Sequence, residues 1–166
     1  MLAAGAKAAM ERRTGKAAVF ALSGGLGAGK TTFVKGFLAG LGARGRAASP
    51  TFVIMRRHPL RVSPGRRAGR SRARNAYHID AYRLKTPEDL AALGFDRILA
   101  DGGAVLIEWA EKVKKLLPKG AVWVSFRHGE KENERRISVR GGGMRGGGAP
   151  RAAGTQVRKK TGARTR

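Results

Sequence analysis

Residues 24–31 read Gly-Gly-Leu-Gly-Ala-Gly-Lys-Thr, a glycine and four residues followed by Gly-Lys-Thr. No other stretch restricts the folding of this chain as much. A loop of this kind turns sharply on its glycines and aims successive backbone N–H groups into one concavity, a shape that suits phosphate oxygens. It acts only when a strand feeds it and a helix leaves it, because the helix adds its free N–H groups and positive dipole end to the same anion. Both neighbours are present. Ala17–Leu22 (AAVFAL) is an apolar run of strand length, and Phe33, Val34, Phe37, Leu38 and Leu41 recur at helical spacing, with Gly42 as a stop. Gly24, Gly25, Leu26, Gly27, Ala28, Gly29, Lys30, Thr31 and Thr32 are therefore assigned to a phosphate site. Lys30 supplies a cation for the β and γ phosphates, and the Thr31 hydroxyl is available to magnesium.

The rest of the chain alternates in the same way. Thr51–Met55 and Ala76–Leu84 are expected to be extended, with an Arg-rich stretch (61–74) between them as an enlarged hairpin loop. Thr86-Pro-Glu-Asp-Leu starts a helix, with Thr86 at the cap, Pro87 in the first turn and Asp89 at the third position. Ala104–Ile107 is a buried-type strand, Trp109–Leu117 is helical and stopped by Pro118, and Ala121–Phe126 pairs with Arg136–Arg140. A short helix is expected over 2–13. Strand and helix alternation with a phosphate loop predicts an α/β fold: a P-loop NTPase-like three-layer sandwich with a mixed, mainly parallel central sheet and a C-terminal hairpin.

Charge divides the chain further. Of 166 residues, 35 are Lys or Arg and 11 are Asp or Glu, for a net charge of +24. Ten of the eleven acids fall in residues 75–134, a block with a net charge of −1, whereas 135–166 holds ten basic residues and no acid. The excess thus belongs to the N-terminal third, the 61–74 insertion and the end of the chain. Residues 1–140 are expected to form one domain, and the Gly/Arg-rich 141–166 a disordered tail with nothing to offset the entropy of ordering it. Such charge attracts polyanions, nucleic acid first among them. The absence of cysteine excludes disulfides, thiolate metal sites and thiol catalysis. No apolar run is long enough to span a membrane and no signal-peptide pattern opens the chain, so a cytoplasmic protein is expected.

A phosphate loop hydrolyses nothing without acidic partners. Asp80, in His78-Ile-Asp-Ala-Tyr-Arg83, and Glu108, after the AVLI strand, stand where strand ends face the ligand crevice of an α/β sheet. Either can hold magnesium directly or through water, or orient an attacking water. Each also has a plain structural alternative, an Asp80–Arg83 pair or a helix-start carboxylate. The three histidines lack metal-ligand spacing, and Phe33, Phe37 and Leu41 read as core.

The order GGLGAGKTT, SPTF (49–52), YHIDAYRL (77–84) and IEWAE (107–111) resembles the TsaE (YjeE) family of small bacterial P-loop ATPases. The resemblance implies binding and hydrolysis of ATP with magnesium, in support of the TsaB–TsaD pair that makes threonylcarbamoyladenosine beside the tRNA anticodon. It implies that Lys30 and Thr31 serve phosphate and metal, that Glu108 is a second metal-side ligand and Asp80 a nucleotide-site acid, and that Trp109 neighbours the nucleotide. Thr51 falls in the switch-like loop that senses the γ-phosphate. The family sets a nucleotide-contacting arginine in the final hairpin; Arg136 is taken for it, with Arg135 beside it and Asn133 also able to occupy the aligned position. Position 25 departs from the family's Gly-Asp-Leu-Gly, which removes an acid and keeps every backbone donor. A tRNA contact is implied indirectly, with the basic loop and tail as direct candidates. Two other classes stay open: a small-molecule or nucleoside kinase, and a basic RNA-binding protein with a degenerate nucleotide site.

Overall fold

The apolar run before the phosphate loop forms the central strand of a six-stranded sheet. A computed structural model describes residues 16–43, 54–61 and 75–141; the expected helix at 2–13, Thr51, the body of the Arg-rich insertion and the tail lie outside them. The strands are β1 (Ala18–Ser23), β2 (Met55–Pro59), β3 (Asn75–Asp80), β4 (Ala104–Glu108), β5 (Val122–His128) and β6 (Arg135–Gly141). Their spatial order is β2-β3-β4-β1-β5-β6. β3, β4, β1 and β5 run parallel, and each edge carries one antiparallel strand. The mixed, mainly parallel sheet and its terminal hairpin are those the sequence predicts.

Alternation along the strands gives the sheet two apolar faces. Phe20, Leu22 and Leu106 point to the face covered by α1 (Lys30–Gly40), where Val34, Phe37 and Leu38 meet them. Val19, Ala21, Val105 and Ile107 point to the other face, beneath α2 (Pro87–Ala92), α3 (Phe95–Ala100) and a 3-10 segment (Ala110–Leu116). Leu22, Leu38, Leu106 and Ile107 are fully buried, and burial of each such side chain contributes about 1.5–3 kcal/mol. The result is a three-layer sandwich.

Two expected elements are shorter or tighter than their sequences imply. The Ala76–Leu84 strand ends at Asp80, because the Asp80 carboxylate accepts the Tyr82 N–H at 3.0 Å and turns the chain into a 3-10 turn over Ala81–Arg83. The segment after Trp109 is 3-10 and kinked at Val113 rather than α-helical. Of Thr51–Met55, residues 51–53 lie outside the described residues, and the strand there runs Met55–Pro59.

The start of α2 is as expected. The Asp89 carboxylate accepts the backbone N–H of Thr86 at 3.0 Å and of Lys85 at 2.7 Å. These bonds, that of Thr86 foremost, hold its carboxyl below the usual carboxylate range. Its folded value is thus depressed relative to the unfolded chain. The stabilisation is complete above the unfolded value of about 3.9 and is lost as pH falls through the folded value. Asp89→Asn is therefore expected to lower Tm at neutral pH and to match the parent in strong acid, as read by thermal unfolding against pH.

Candidate nucleotide site

β1 delivers the loop to the carboxyl edge of the sheet, and its neighbours deliver the acids to the same edge. Leu22 pairs with Glu108 across β1 and β4, and Asp80 pairs with Glu108 across β3 and β4. A cleft of about 410 Å³ opens there, floored by residues 26–32 and walled by Asp80, Tyr82, Arg83, Glu108 and Trp109. Gly29 takes a left-handed conformation (φ 100°) as the N-cap of α1, so the chain leaves the loop directly into the helix with its first N–H groups facing the cleft.

Lys30 is 5% exposed, and its Nζ donates to the carbonyls of Gly24 at 2.6 Å and Gly25 at 2.8 Å. It also lies 3.7 Å from the centroid of the Trp109 ring, a cation–π contact. Burial pushes its amine below the ordinary lysine value, and the carboxylates of Glu108, Glu111 and Asp80 oppose that shift. Trp109 is the only non-glycine residue among those described with positive φ, at 56°. That backbone costs about 1–3 kcal/mol, and it turns the indole from the end of β4 over Lys30. Tyr82 packs against the indole in a tilted arrangement, ring centroids 5.1 Å apart.

Thr31 and Glu108 meet across the cleft. Thr31 Oγ1 donates to Glu108 Oε2 at 2.8 Å, while Glu108 Oε1 accepts from His78 Nε2 at 2.8 Å. Glu108 and His78 are both buried, at 4% and 1% exposure. Among the described residues, no three His, Cys, Asp or Glu side chains cluster as a self-sufficient metal cage. The pair at hand is instead a hydroxyl and a carboxylate beside phosphate-facing amides. These hard oxygens suit Mg²⁺, which keeps several waters and takes its other ligands from phosphate. The donor set fits the ion.

Lys30, Thr31, Asp80, Glu108 and Trp109 thus share one cleft with residues 26–29 and Thr32. Gly24 and Gly25 contribute through their carbonyls. Arg136 stands elsewhere: it is exposed and pairs with Glu130. Arg135, one position earlier and so on the opposite side of β6, reaches the loop, its Nη2 donating to the Gly27 carbonyl at 3.2 Å. His128 Nε2 lies 3.2 Å from the Leu26 carbonyl, a second tie from the hairpin to the loop. His78, Tyr82 and Arg83 also stand at the site, although the sequence alone does not mark them as site residues. The signal for His78 was its spacing, two residues before Asp80 on one strand and hence on one face.

This edge of the sheet offers a polyphosphate its amides, a lysine and a helix N-terminus, with a hydroxyl and carboxylates alongside for a metal. That defines the class: a P-loop nucleotide-binding protein of the α/β type. The family model described as threonylcarbamoyl adenosine biosynthesis protein TsaE matches residues 2–137. The chain belongs to the TsaE family. It is 36% identical over 117 residues to the tRNA threonylcarbamoyladenosine biosynthesis protein TsaE of Haemophilus influenzae, covering 70% of this chain and 67% of that one. To its counterpart in Bacillus subtilis it is 37% identical over 117 residues, covering 70% and 66%. The chain thus spans about two thirds of the length of these curated relatives. The crystal structure of Bacillus subtilis YdiB superposes with a TM-score of 0.52 at 28% identity, covering 82% of this chain and 74% of that one. Among the described residues, no helix is long and apolar enough to cross a membrane.

Proposed function

We propose that this protein binds and hydrolyses ATP with Mg²⁺, as a cytoplasmic accessory of tRNA threonylcarbamoyladenosine formation acting with the TsaB–TsaD pair. One observation carries the reading: a phosphate loop whose Thr31 hydroxyl is hydrogen-bonded to the strand-end carboxylate of Glu108. The family and the names of its relatives supply the pathway. Residues 1–140 form the ATPase domain in this reading, the 61–74 insertion being a loop upon it and 141–166 a basic tail.

The loop amides and the N-terminus of α1 bind the phosphates, and Lys30 leaves the Gly24 and Gly25 carbonyls to neutralise charge on the transferred phosphoryl group. Thr31 and Glu108 would hold the metal, with Asp80 placed to orient its waters or the attacking water. A bound magnesium would supply positive charge to offset that of the phosphates. Trp109 and Tyr82 wall the site against bulk water, and Arg83 brings a cation to the cleft.

Nucleotide titration and phosphate release, with and without TsaB–TsaD, test the reading. Magnesium-dependent ATP binding and partner-stimulated phosphate release are expected. Glu108→Ala should weaken the magnesium-dependent part of binding by at least about tenfold and leave metal-free binding close to the parent. Label transferred from ATP to a small acceptor would favour a kinase instead. Failure to bind ATP and ADP at millimolar concentration with magnesium present overturns the proposal.

A further inference from the structure

We infer that His78 is a positioning residue for the metal side of the nucleotide site: it holds Glu108 so that one carboxylate oxygen is presented to Thr31 and the divalent ion. The inference rests on the nucleotide reading above and assigns to it a residue that touches neither phosphate nor metal.

Geometry carries it. Glu108, 4% exposed, ends β4 on the face it shares with Leu106 and α1. Each of its oxygens has one side-chain donor: His78 for Oε1 and Thr31 for Oε2, both at 2.8 Å. His78 reaches Oε1 from β3, whose register sets His78 beside Leu106 and Asp80 beside Glu108. On its own face His78 is flanked by Ala76, two positions earlier on β3, and Leu106 on β4, both 0% exposed, while His58 and the exposed Arg56, its direct partner across the ladder, face it from β2. A buried carboxylate oxygen deprived of its donor pays a desolvation penalty and reorients toward another. Lys30 lines the same cleft and feels the Glu108 charge more than that of any other acid. Without the imidazole the carboxylate turns toward the lysine, and both groups are then withdrawn from metal and phosphate. His78 prevents this by occupying Oε1 from behind.

The imidazole is itself held in place. It is 1% exposed within a closed sheet face. His58, on the same face of β2, packs near it and is kept below the ordinary histidine value by burial first, then by His78 and Arg56. Its Nε2 is buried with no hydrogen-bond partner among the described residues.

The test compares His78→Gln with His78→Asn. Glutamine carries its amide nitrogen about as far from the backbone as Nε2 and can still donate to Glu108; asparagine stops at the position of Nδ1. ADP is titrated into each variant with MgCl₂ and with EDTA, and the readout is the factor by which magnesium tightens ADP binding. His78→Asn is expected to lower that factor by about tenfold, the usual range for a group supporting a metal ligand, with EDTA affinity unchanged. His78→Gln is expected to restore most of it. Equal magnesium factors in parent, Asn and Gln variants overturn the inference alone. A parent protein with no magnesium-dependent ADP binding overturns the nucleotide reading and the inference with it. Should the Asn variant fail to fold, imidazole ¹⁵N NMR of the parent decides. Adding magnesium to the ADP-saturated protein is expected to shift His78 Nε2 and leave His58 in place, and no shift at His78 overturns the inference.

Discussion

Lys30→Ala is expected to lower ATP turnover by at least about a hundredfold, the scale on which one preorganised charge-stabilising donor acts. Nucleotide affinity should fall by roughly 10–100-fold, since hydrogen bonds to charged groups contribute about 1.5–3 kcal/mol. The fold should not suffer. Lys30 is buried against the Trp109 ring and two loop carbonyls, and burial pushes its amine down. Its charge is therefore held in the folded protein at some cost. Lys30→Met, which keeps the apolar stem under the indole, is expected to match or exceed the parent in Tm while losing the nucleotide. Phosphate release and differential scanning fluorimetry on the same samples read both effects. Parent-like hydrolysis by Lys30→Ala in the presence of partners would remove Lys30 from the role assigned to it.

Gly24→Ala is expected to destabilise the protein by about 2–4 kcal/mol through left-handed strain and overpacking together. Gly24 has φ 142°, and a Cβ added there would stand 2.5 Å from the Phe126 carbonyl oxygen. That oxygen belongs to the β5 backbone and cannot swing aside as a side-chain tip would. Tm should drop by roughly 10 °C, and the loop should lose its alignment with β5. Gly25 is the internal control. A Cβ there meets nothing within 4 Å, so Gly25→Ala should leave Tm unchanged. The same open space accommodates the Cβ of the aspartate usual in the family at this position.

Much of the site was legible because its chemistry is local. The loop between an apolar run and an apolar-periodic segment announced Lys30 and Thr31, and the two strand-end acids were readable from where their strands stop. What could not be read depends on register. Arg135 and Arg136 differ by one position and therefore by one whole face of β6. Only the pairing of Arg135 with His128 and of Arg136 with Arg127 decides which of them meets the loop. Trp109 was assigned beside the nucleotide, but its left-handed backbone has no sequence signature in a large aromatic residue. Metal-ligand spacing does not reveal His78, which meets a carboxylate from an adjacent strand. The 3-10 turn at Ala81–Arg83 was hidden because Asp80 belongs to both an alternating strand and a turn-forming side chain.

The hydroxyl and carboxylate that meet in the cleft stand 77 positions apart in the chain, joined because β1 lies beside β4. No short contiguous fragment of this protein therefore contains the binding site. Occupancy and completion of the tertiary structure are a single linked equilibrium: a ligand at one hundred times its Kd adds about 2.7 kcal/mol against unfolding. Cells that keep this protein saturated with its ligand would thereby also set how long it resists proteolysis.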